Sequence, residues 1–220
     1  MTIRKAMAKH TDSPERDIDG YSYSSADCNP AHGYLLPAVI DILEKENAAG
    51  KGRIFELGCG NGAVANEFLK QGYEIVGVDP SREGVALANQ NYPGLAIHQG
   101  SAYDDLACTY GRFPVVLSLE VVEHVFFPRK YAKCIFDLCE EGGTAIISAP
   151  YHGYWKNVVL AVSGKLDAHF TALWDYGHIK FWSIKTLTSL LTETGFRDIS
   201  FKRIGRIPPL AKTMIAIARK

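Results

Sequence analysis

The sequence predicts an α/β fold, a mostly parallel sheet with helices on both faces, and three observations predict it. Short apolar runs alternate with helix-length amphipathic segments from residue 53 to residue 149, the rhythm of a parallel sheet built from strand–helix–strand units. The first run, Arg53-Ile-Phe-Glu-Leu57, breaks directly into Gly58-Cys59-Gly60-Asn61-Gly62. A buried strand that turns so sharply into a helix leaves the helix's N-terminal amides facing a ligand. The second run ends in Asp79, seventeen residues after Gly62. A helix and a strand fill that interval, so Asp79 belongs at the tip of the neighbouring strand, where a carboxylate can accept both ribose hydroxyls of a nucleoside.

The elements follow in order. Residues 1–20 read as a loosely ordered polar tail. Leu35 to Ala48 has apolar spacings of three and four and predicts a helix closed by Gly50. Strands are expected at 53–57, 73–78, 94–98, 114–118 and 143–149, with helices at 62–71, 81–91 and 127–140. Ser81 suits the N-cap of the third helix, and Gly72 closes the second. The aromatic, His-containing stretch 151–181 interrupts the rhythm. Ser183 then caps an amphipathic helix that runs through Thr194 and stops at Gly195. Two last strand-like runs, 196–204 and 211–219, are joined through Pro208-Pro209 into a hairpin, so one of them must run antiparallel in the sheet.

Bulk composition narrows the class. A chain of 220 residues, 47% hydrophobic and 22% charged, fits one domain with a substantial core. Its 24 basic and 24 acidic side chains balance, which disfavours nucleic acid as a partner. The balance conceals an asymmetry. From Gly177 to Lys220 nine Lys/Arg face only Glu193 and Asp198, a net of +7, which leaves −7 for the first 176 residues. Such a basic end can meet an anionic surface or stay solvated. Five cysteines (28, 59, 108, 134 and 139) without CxxC spacing suggest neither a disulfide framework nor a zinc site. Residues 1–19 lack the apolar core of a secretory signal, and no apolar run approaches a membrane span. A cytoplasmic protein is expected.

The glycines alone are ambiguous, because Gly58-x-Gly60-x-x-Ala63 also satisfies the dinucleotide fingerprint. Glu56 opposes that reading, since an anion at the last strand position would not help bind a pyrophosphate. The segment Glu56-Leu-Gly-Cys-Gly-Asn-Gly62 resembles the first motif of class I S-adenosylmethionine (AdoMet) methyltransferases, with Asp79 matching their ribose-binding acid. The resemblance implies a Rossmann-like fold whose seven-stranded, mostly parallel sheet ends in an antiparallel strand, with a cap inserted after strand five. It also implies a cofactor site of Glu56, Gly58, Cys59, Gly60, Asn61 and Gly62, with Asp79, Pro80 and Ser81 on the ribose. The glycine loop would pack on the amino-acid part of AdoMet, whose ammonium an acid at position 56 suits. In the turn Gln99–Tyr103, Ser101 and Ala102 would border the adenine, although many relatives carry an Asp where Ser101 stands. Ser118 and Leu119 would border the sulfonium, and Glu120 would also bind the cofactor.

Glu120-Val-Val-Glu123-His124 follows the fourth strand. Spacings of three and four put the two carboxylates and the imidazole on one face of a helical turn. They can bind a divalent ion such as Mg²⁺ that lowers the pKa of a bound hydroxyl, or His124 can act as general base. The bland alternative has Glu120 orient the cofactor while Glu123 and His124 pack or face water. The run Glu-x-x-Glu-His resembles the ubiquinone-pathway O-methyltransferases, which act on polyprenylated catechols and phenols. In that family these positions are assigned to a metal.

The segment from Pro150 to His169 lies where such enzymes carry a cap, and residues 151–182 are read as that cap within the single domain 1–220. The residues from Asp167 to Asp175 and from Gly177 to Trp182 depart from the bacterial ubiquinone enzymes, which leaves the acceptor less defined than the fold. Trp155, Val158, Val159, Leu160, Val162 and Leu166 offer an apolar face bounded by Lys156 and Lys165. That pattern suits either a membrane interface or a lid packed on the core. Of the cap imidazoles, His178 and then His152 are the candidates for a base or a contact to the ring hydroxyl. Tyr23, His32 and Tyr34 precede the first strand and can close over the cofactor or merely cap the core. The expected activity is O-methylation of a small aromatic hydroxyl, against N- or C-methylation, a non-catalytic AdoMet-binding scaffold, or an NAD-dependent oxidoreductase.

Overall fold

Ile54 and Phe55 face opposite sides of one sheet, and that period-two alternation sorts the apolar residues into two cores. The computed structural model describes Ser25, residues 32–46 and residues 52–220. Its strands are β1 (Arg53–Leu57), β2 (Glu74–Asp79), β3 (Ala96–Gln99), β4 (Phe113–Leu119), β5 (Cys139–Pro150), β6 (Arg197–Ile204) and β7 (Thr213–Arg219). They form one seven-stranded sheet in the order β3-β2-β1-β4-β5-β7-β6. The β1–β2, β1–β4, β2–β3 and β4–β5 pairs are parallel, whereas β7 runs antiparallel to both β5 and β6. This is the mostly parallel, Rossmann-like sheet with one reversed strand that the resemblance implies.

Helices cover both faces. On one, α1 (His32–Glu46), α2 (Ala63–Lys70) and α3 (Arg82–Asn91) bury Leu35, Val39, Phe68 and Ala88 against Ile54, Ile146 and Ile215. On the other, α4 (Leu106–Tyr110), α5 (Pro128–Leu138) and α8 (Ile184–Thr194) bury Leu106, Tyr131, Ile135 and Leu191 against Phe55, Val116 and Met214. Two further helices, α6 (Tyr154–Val162) and α7 (Leu166–Phe170), occupy the insert after β5.

Local chemistry sets the helix ends. The Ser81 hydroxyl accepts from the Gly84 amide at 3.1 Å and starts α3. Ser183 and Thr186 form a reciprocal capping box at the start of α8, and Gly195 ends it at a φ of 116°.

Several boundaries differ from those expected. Helix α1 begins at His32, three residues before Leu35. The predicted stop at Gly50, the tail 1–20 and Tyr23 lie outside the described residues. Helix α5 ends at Leu138 rather than at residue 140, because Cys139 is already extended and pairs with Phe113. Helix α4 was not expected. Its five residues are too few to show a helical period, and the Asp105 carboxylate starts it by accepting from the Cys108 amide. Among the described residues no helix is long and apolar enough to cross a membrane.

Candidate active site

The parallel strands end on one edge, and the loops that leave them build the site. Gly58, Gly60 and Gly62 all adopt positive φ, at 83°, 53° and 73°. At Gly58 a side chain is also excluded by space, since an added Cβ would lie 2.3 Å from Val121 Cγ2. The turn is tied to β2: the Gly58 amide donates to the Val78 carbonyl at 2.7 Å. Asp79 is 7% exposed. One of its carboxylate oxygens accepts from the Gly60 amide at 2.8 Å and the other from the Ser81 amide at 2.9 Å. The strand-tip acid and the glycine loop are therefore one unit.

Glu56 lies beneath that unit, 2% exposed, and its Oε2 is buried without a hydrogen-bond partner among the described residues. Burial first, and then the Asp79 carboxylate, push Glu56 up to about 8. A buried carboxyl with an unpartnered oxygen is costly unless a ligand cation or donor completes it. Cys59 points towards Gly77, where its sulfur leaves no room for a Cβ, and burial raises its thiol well above the ordinary value. Asn61 donates to the Ser25 carbonyl at 2.8 Å and accepts from the Ala63 amide at 3.2 Å. The Pro80 carbonyl accepts from Gln99 Nε2.

The turn after β3 is braced by its own side chains. The Ser101 amide donates to Asp104 at 2.7 Å, and its hydroxyl accepts from the Tyr103 amide. Ala102 is half-buried against the core. The Tyr103 hydroxyl, which the sequence did not single out, accepts from the amides of Phe126 and Phe127 at 2.9 and 3.1 Å. It thereby joins this turn to the loop after β4. At the end of β4 the Ser118 hydroxyl donates to the Leu57 carbonyl at 2.9 Å, and Leu119 is buried.

The run after β4 corrects the sequence expectation. Residues 120–124 form a turn rather than a helix, closed by the His124 amide donating to the Val121 carbonyl. Glu120 enters it at a φ of 57°, strained for a residue with a side chain. Its carboxylate accepts from the Ser148 hydroxyl at 2.8 Å while its amide donates to the same oxygen. Glu120 therefore separates from the expected metal trio. Burial raises it to about 7, with Ser148, Lys156 and Thr213 acting in the opposite direction.

The group that does converge is Glu123, His124 and His178, whose possible ligand atoms lie within 4.8 Å of one another. Glu123 is 1% exposed, neither carboxylate oxygen has a hydrogen-bond partner among the described residues, and burial, then Glu120, hold it well above the usual carboxylate range. His178 Nε2 is 3.9 Å from Glu123 Oε1. Burial, then His124 and His169, push His178 down to about 4. His124 sits edge-on to His178 at 4.9 Å, with Nδ1 at 3.2 Å from the Tyr176 carbonyl. The two backbone bonds from Ile179 and Lys180 to the Glu123 carbonyl, and that from Trp182 Nε1 to the Val122 carbonyl, hold the cap segment here.

The rest of the cap divides in two. Trp155, Val159 and Val162 of α6 are exposed, as is Leu173 beyond α7. Lys156, expected at the polar edge of that face, instead turns inward and is buried, because α6 packs against the 208–210 turn. His152 is buried against His169, Phe170 and Phe181. Tyr34 of α1 lies 3.3 Å from the Thr213 hydroxyl, near Glu120, and burial lowers His32.

Comparison with known proteins gives consistent results. A family model described as a methyltransferase domain matches residues 31–200. The chain is similar to a ubiquinone biosynthesis O-methyltransferase of Cereibacter sphaeroides, 35% identical over 99 residues that cover 44% of this chain and 40% of that protein. It is 29% identical to the protein of the same name from Ruegeria pomeroyi, over 68% of this chain and 62% of the relative. The matches thus span less than two thirds of either relative's length. Among solved structures, a magnesium protoporphyrin IX methyltransferase from Synechocystis, with S-adenosylhomocysteine bound, superposes with a TM-score of 0.64 at 17% identity, covering 84% of this chain and 82% of that one. A SAM-dependent methyltransferase from Archaeoglobus fulgidus gives 0.61 at 16%, covering 84% and 94%. At such identities the likeness is one of fold.

Proposed function

The chain belongs to the methyltransferase-domain family, and from that premise we propose that it moves a methyl group from AdoMet to a hydroxyl of a small aromatic acceptor. The observation that supports the reading is the buried Glu56 carboxyl, whose Oε2 has no hydrogen-bond partner among the described residues, under a glycine loop that leaves no room for a Cβ at Gly58. An ammonium beside an α-carbon fits it, whereas a pyrophosphate would meet an acid. Glu56 and the loop amides would hold the amino-acid end. Asp79 would hold the ribose: a carboxylate has about four acceptor positions, so amides and hydroxyls can share it.

Bound there, AdoMet supplies an electrophilic sulfonium methyl. The protein's part is mainly alignment, which is worth up to ~7–11 kcal/mol. His178, held neutral at pH 7 by burial and its neighbouring imidazoles, would take the hydroxyl proton on Nε2 as the oxygen attacks. The C–O bond forms, the C–S bond breaks with its electron pair leaving on sulfur, and Glu123 stands beside the new imidazolium. The names of the relatives support a polyprenylated catechol or phenol as acceptor. The exposed Trp155, Val162 and Leu173, near Lys165, support peripheral contact with the membrane that would hold such a lipid.

A second reading of the same cluster is a metal site. Glu123, His124 and His178 offer one carboxylate and two imidazoles. That set suits Zn²⁺ or Mn²⁺ better than the expected Mg²⁺, which prefers oxygen. A bound ion would lower the pKa of a ligated hydroxyl.

The test is transfer of labelled methyl from AdoMet to a short-chain prenylated catechol, with chelator and with added Mn²⁺, Zn²⁺ or Mg²⁺. Turnover that survives chelation and falls at least ~100-fold in His178→Gln supports His178 as base. Turnover lost on chelation and restored by Mn²⁺ or Zn²⁺ supports the metal. Tight AdoMet binding without transfer to any hydroxyl sinks the O-methyl reading and favours a nitrogen or carbon acceptor or a scaffold.

A further inference from the structure

The two imidazoles of the converging cluster share an aromatic neighbour to which the methyl transfer proposed above gives no task. Trp174 lies edge-on to His124 at a ring-centre distance of 6.2 Å and tilted to His178 at 5.4 Å. Its residue is nonetheless 44% exposed, although tryptophan is on average strongly buried. Phe126, Tyr176 and Ile179 are exposed as well. All three belong to the same rim. Phe126 follows His124 by two residues, the Tyr176 carbonyl lies 3.2 Å from His124 Nδ1, and the Ile179 amide donates to the Glu123 carbonyl at 2.9 Å. An exposed apolar patch around a polar cluster points to a ligand.

The backbone fixes the indole. The Trp174 amide donates to the Thr171 carbonyl at 2.9 Å, and the Trp174 carbonyl accepts from the Gly177 amide at 3.0 Å. Thr171 and Tyr176, on either side, hold φ at 44° and 61°, a strained state for residues with side chains. Gly177 packs against the ring. An added Cβ there would lie 3.0 Å from Trp174 Cε3 and 2.9 Å from the Trp174 carbonyl oxygen. The indole is thus held in one orientation beside the imidazoles while much of its surface stays open. Aromatic rings attract one another in offset or edge-on arrangements with centres about 4.5–7 Å apart. A ring whose hydroxyl reaches His178 Nε2 can sit within that distance of Trp174.

We propose that Trp174 is the platform on which the acceptor's flat ring stacks, a positioning residue that selects aromatic diols over diols on a puckered ring. The inference rests on the O-methyl-transfer reading for the identity of the acceptor, but ring binding is measured without turnover.

Calorimetric binding of catechol and of cyclohexane-1,2-diol to the full chain saturated with S-adenosylhomocysteine tests it, alongside methyl transfer from labelled AdoMet. Both compounds carry two neighbouring hydroxyls, and only catechol has a flat π face. Catechol is expected to bind more tightly by roughly 5- to 50-fold, the range of one aromatic stack with its buried area. Trp174→Leu is expected to erase that advantage and Trp174→Phe to keep most of it, with S-adenosylhomocysteine affinity unchanged in both. In turnover the loss is expected in KM more than in kcat. Gly177→Ala keeps the indole but displaces it, so it too is expected to weaken catechol. Should Trp174→Leu fail to fold, as judged by lost S-adenosylhomocysteine binding, Gly177→Ala decides in its place. Equal binding of the two diols by the unaltered protein, or a catechol preference untouched in the variant that folds, would overturn the proposal. A Trp174-dependent catechol preference without methyl transfer upholds the platform and removes the O-methyl reading. Methylation of catechol whose KM is unmoved in Trp174→Leu does the reverse.

Discussion

At the scale of single residues, Glu56 connects cofactor binding to protons. Its carboxyl is held at about 8 by burial and by Asp79, so near pH 7 the unliganded protein keeps it protonated. An ammonium seated against Oε2 favours the carboxylate, and binding must then expel a proton. Titration of S-adenosylhomocysteine in buffers of different ionisation enthalpy should show close to one proton released at pH 7, and affinity should rise with pH up to about 8. Glu56→Gln should abolish the release and weaken binding roughly 10- to 100-fold. No proton release in the unaltered protein would remove the assigned partner for the ammonium. Gly58→Ala tests the loop itself. The new Cβ would strike Val121 at 2.3 Å on a backbone of φ 83°, a strain of ~1–3 kcal/mol that should appear as lost stability, lost cofactor affinity, or both. These residues were legible in the sequence because they follow one another along a few dozen positions, and strand–loop–helix geometry fixes their meaning. Lys156, Ser148, Thr213 and Tyr103 were not, since each acquires its partner from a distant strand or turn. His178 joins Glu123 across more than fifty residues of chain, which no local spacing could show.

At the scale of elements, the capping box of α8 shows how strongly short-range chemistry fixed the boundaries. Both of its bonds, between Ser183 and Thr186, lie within the first turn. Ser183→Ala should therefore cost about 1 kcal/mol, a fall in Tm of about 2–4 °C for a chain of this size. Thermal melts should detect it, with cofactor affinity unchanged, because the capping bonds involve only Ser183 and Thr186 and no residue of the glycine loop. An unchanged Tm would mean that packing of Leu187 and Leu191 alone defines the helix start. The same logic explains what was and was not legible. Strands buried on both faces, such as β4, read as apolar runs, and capped helices announce their ends. The five residues of α4 are too short to carry a period. The turn at 120–124 carries helical spacing without a helix, because Glu120 leaves β4 at positive φ and diverts the chain. In the cap, apolar spacing identified an apolar face of α6 but not whether it is exposed, and it missed the inward Lys156, whose four methylenes let it be buried like an apolar residue.

At the scale of the whole molecule, the buried ionisable groups around the strand tips set how stability depends on pH. His152 and His178 are each lowered to about 4. Below their ordinary value near 6.5 the unfolded chain takes up protons that the fold refuses, so these groups remove stability as pH falls towards 4. Glu56, at about 8, and Glu120, at about 7, are raised, so the fold keeps protons that the unfolded chain has released. Their contribution is lost as pH rises from about 4.5 through those values. Between about 4.5 and 6.5 the two sets oppose each other. Above 6.5 the histidines no longer contribute, and the carboxyls set the slope until Lys156, lowered to about 8, begins to oppose them near that pH. The unliganded protein should therefore lose stability from pH 6.5 to 8, at up to about 1.4 kcal/mol per pH unit for each carboxyl still protonated. Glu56→Gln should flatten that slope, since the amide cannot ionise. Saturating S-adenosylhomocysteine should flatten it too, because its ammonium makes the Glu56 carboxylate the favoured form. Denaturant melts at fixed ionic strength across this window decide the matter. A slope that persists undiminished in Glu56→Gln would place the protons elsewhere, with Glu123 the next candidate because it too is buried with unpartnered oxygens.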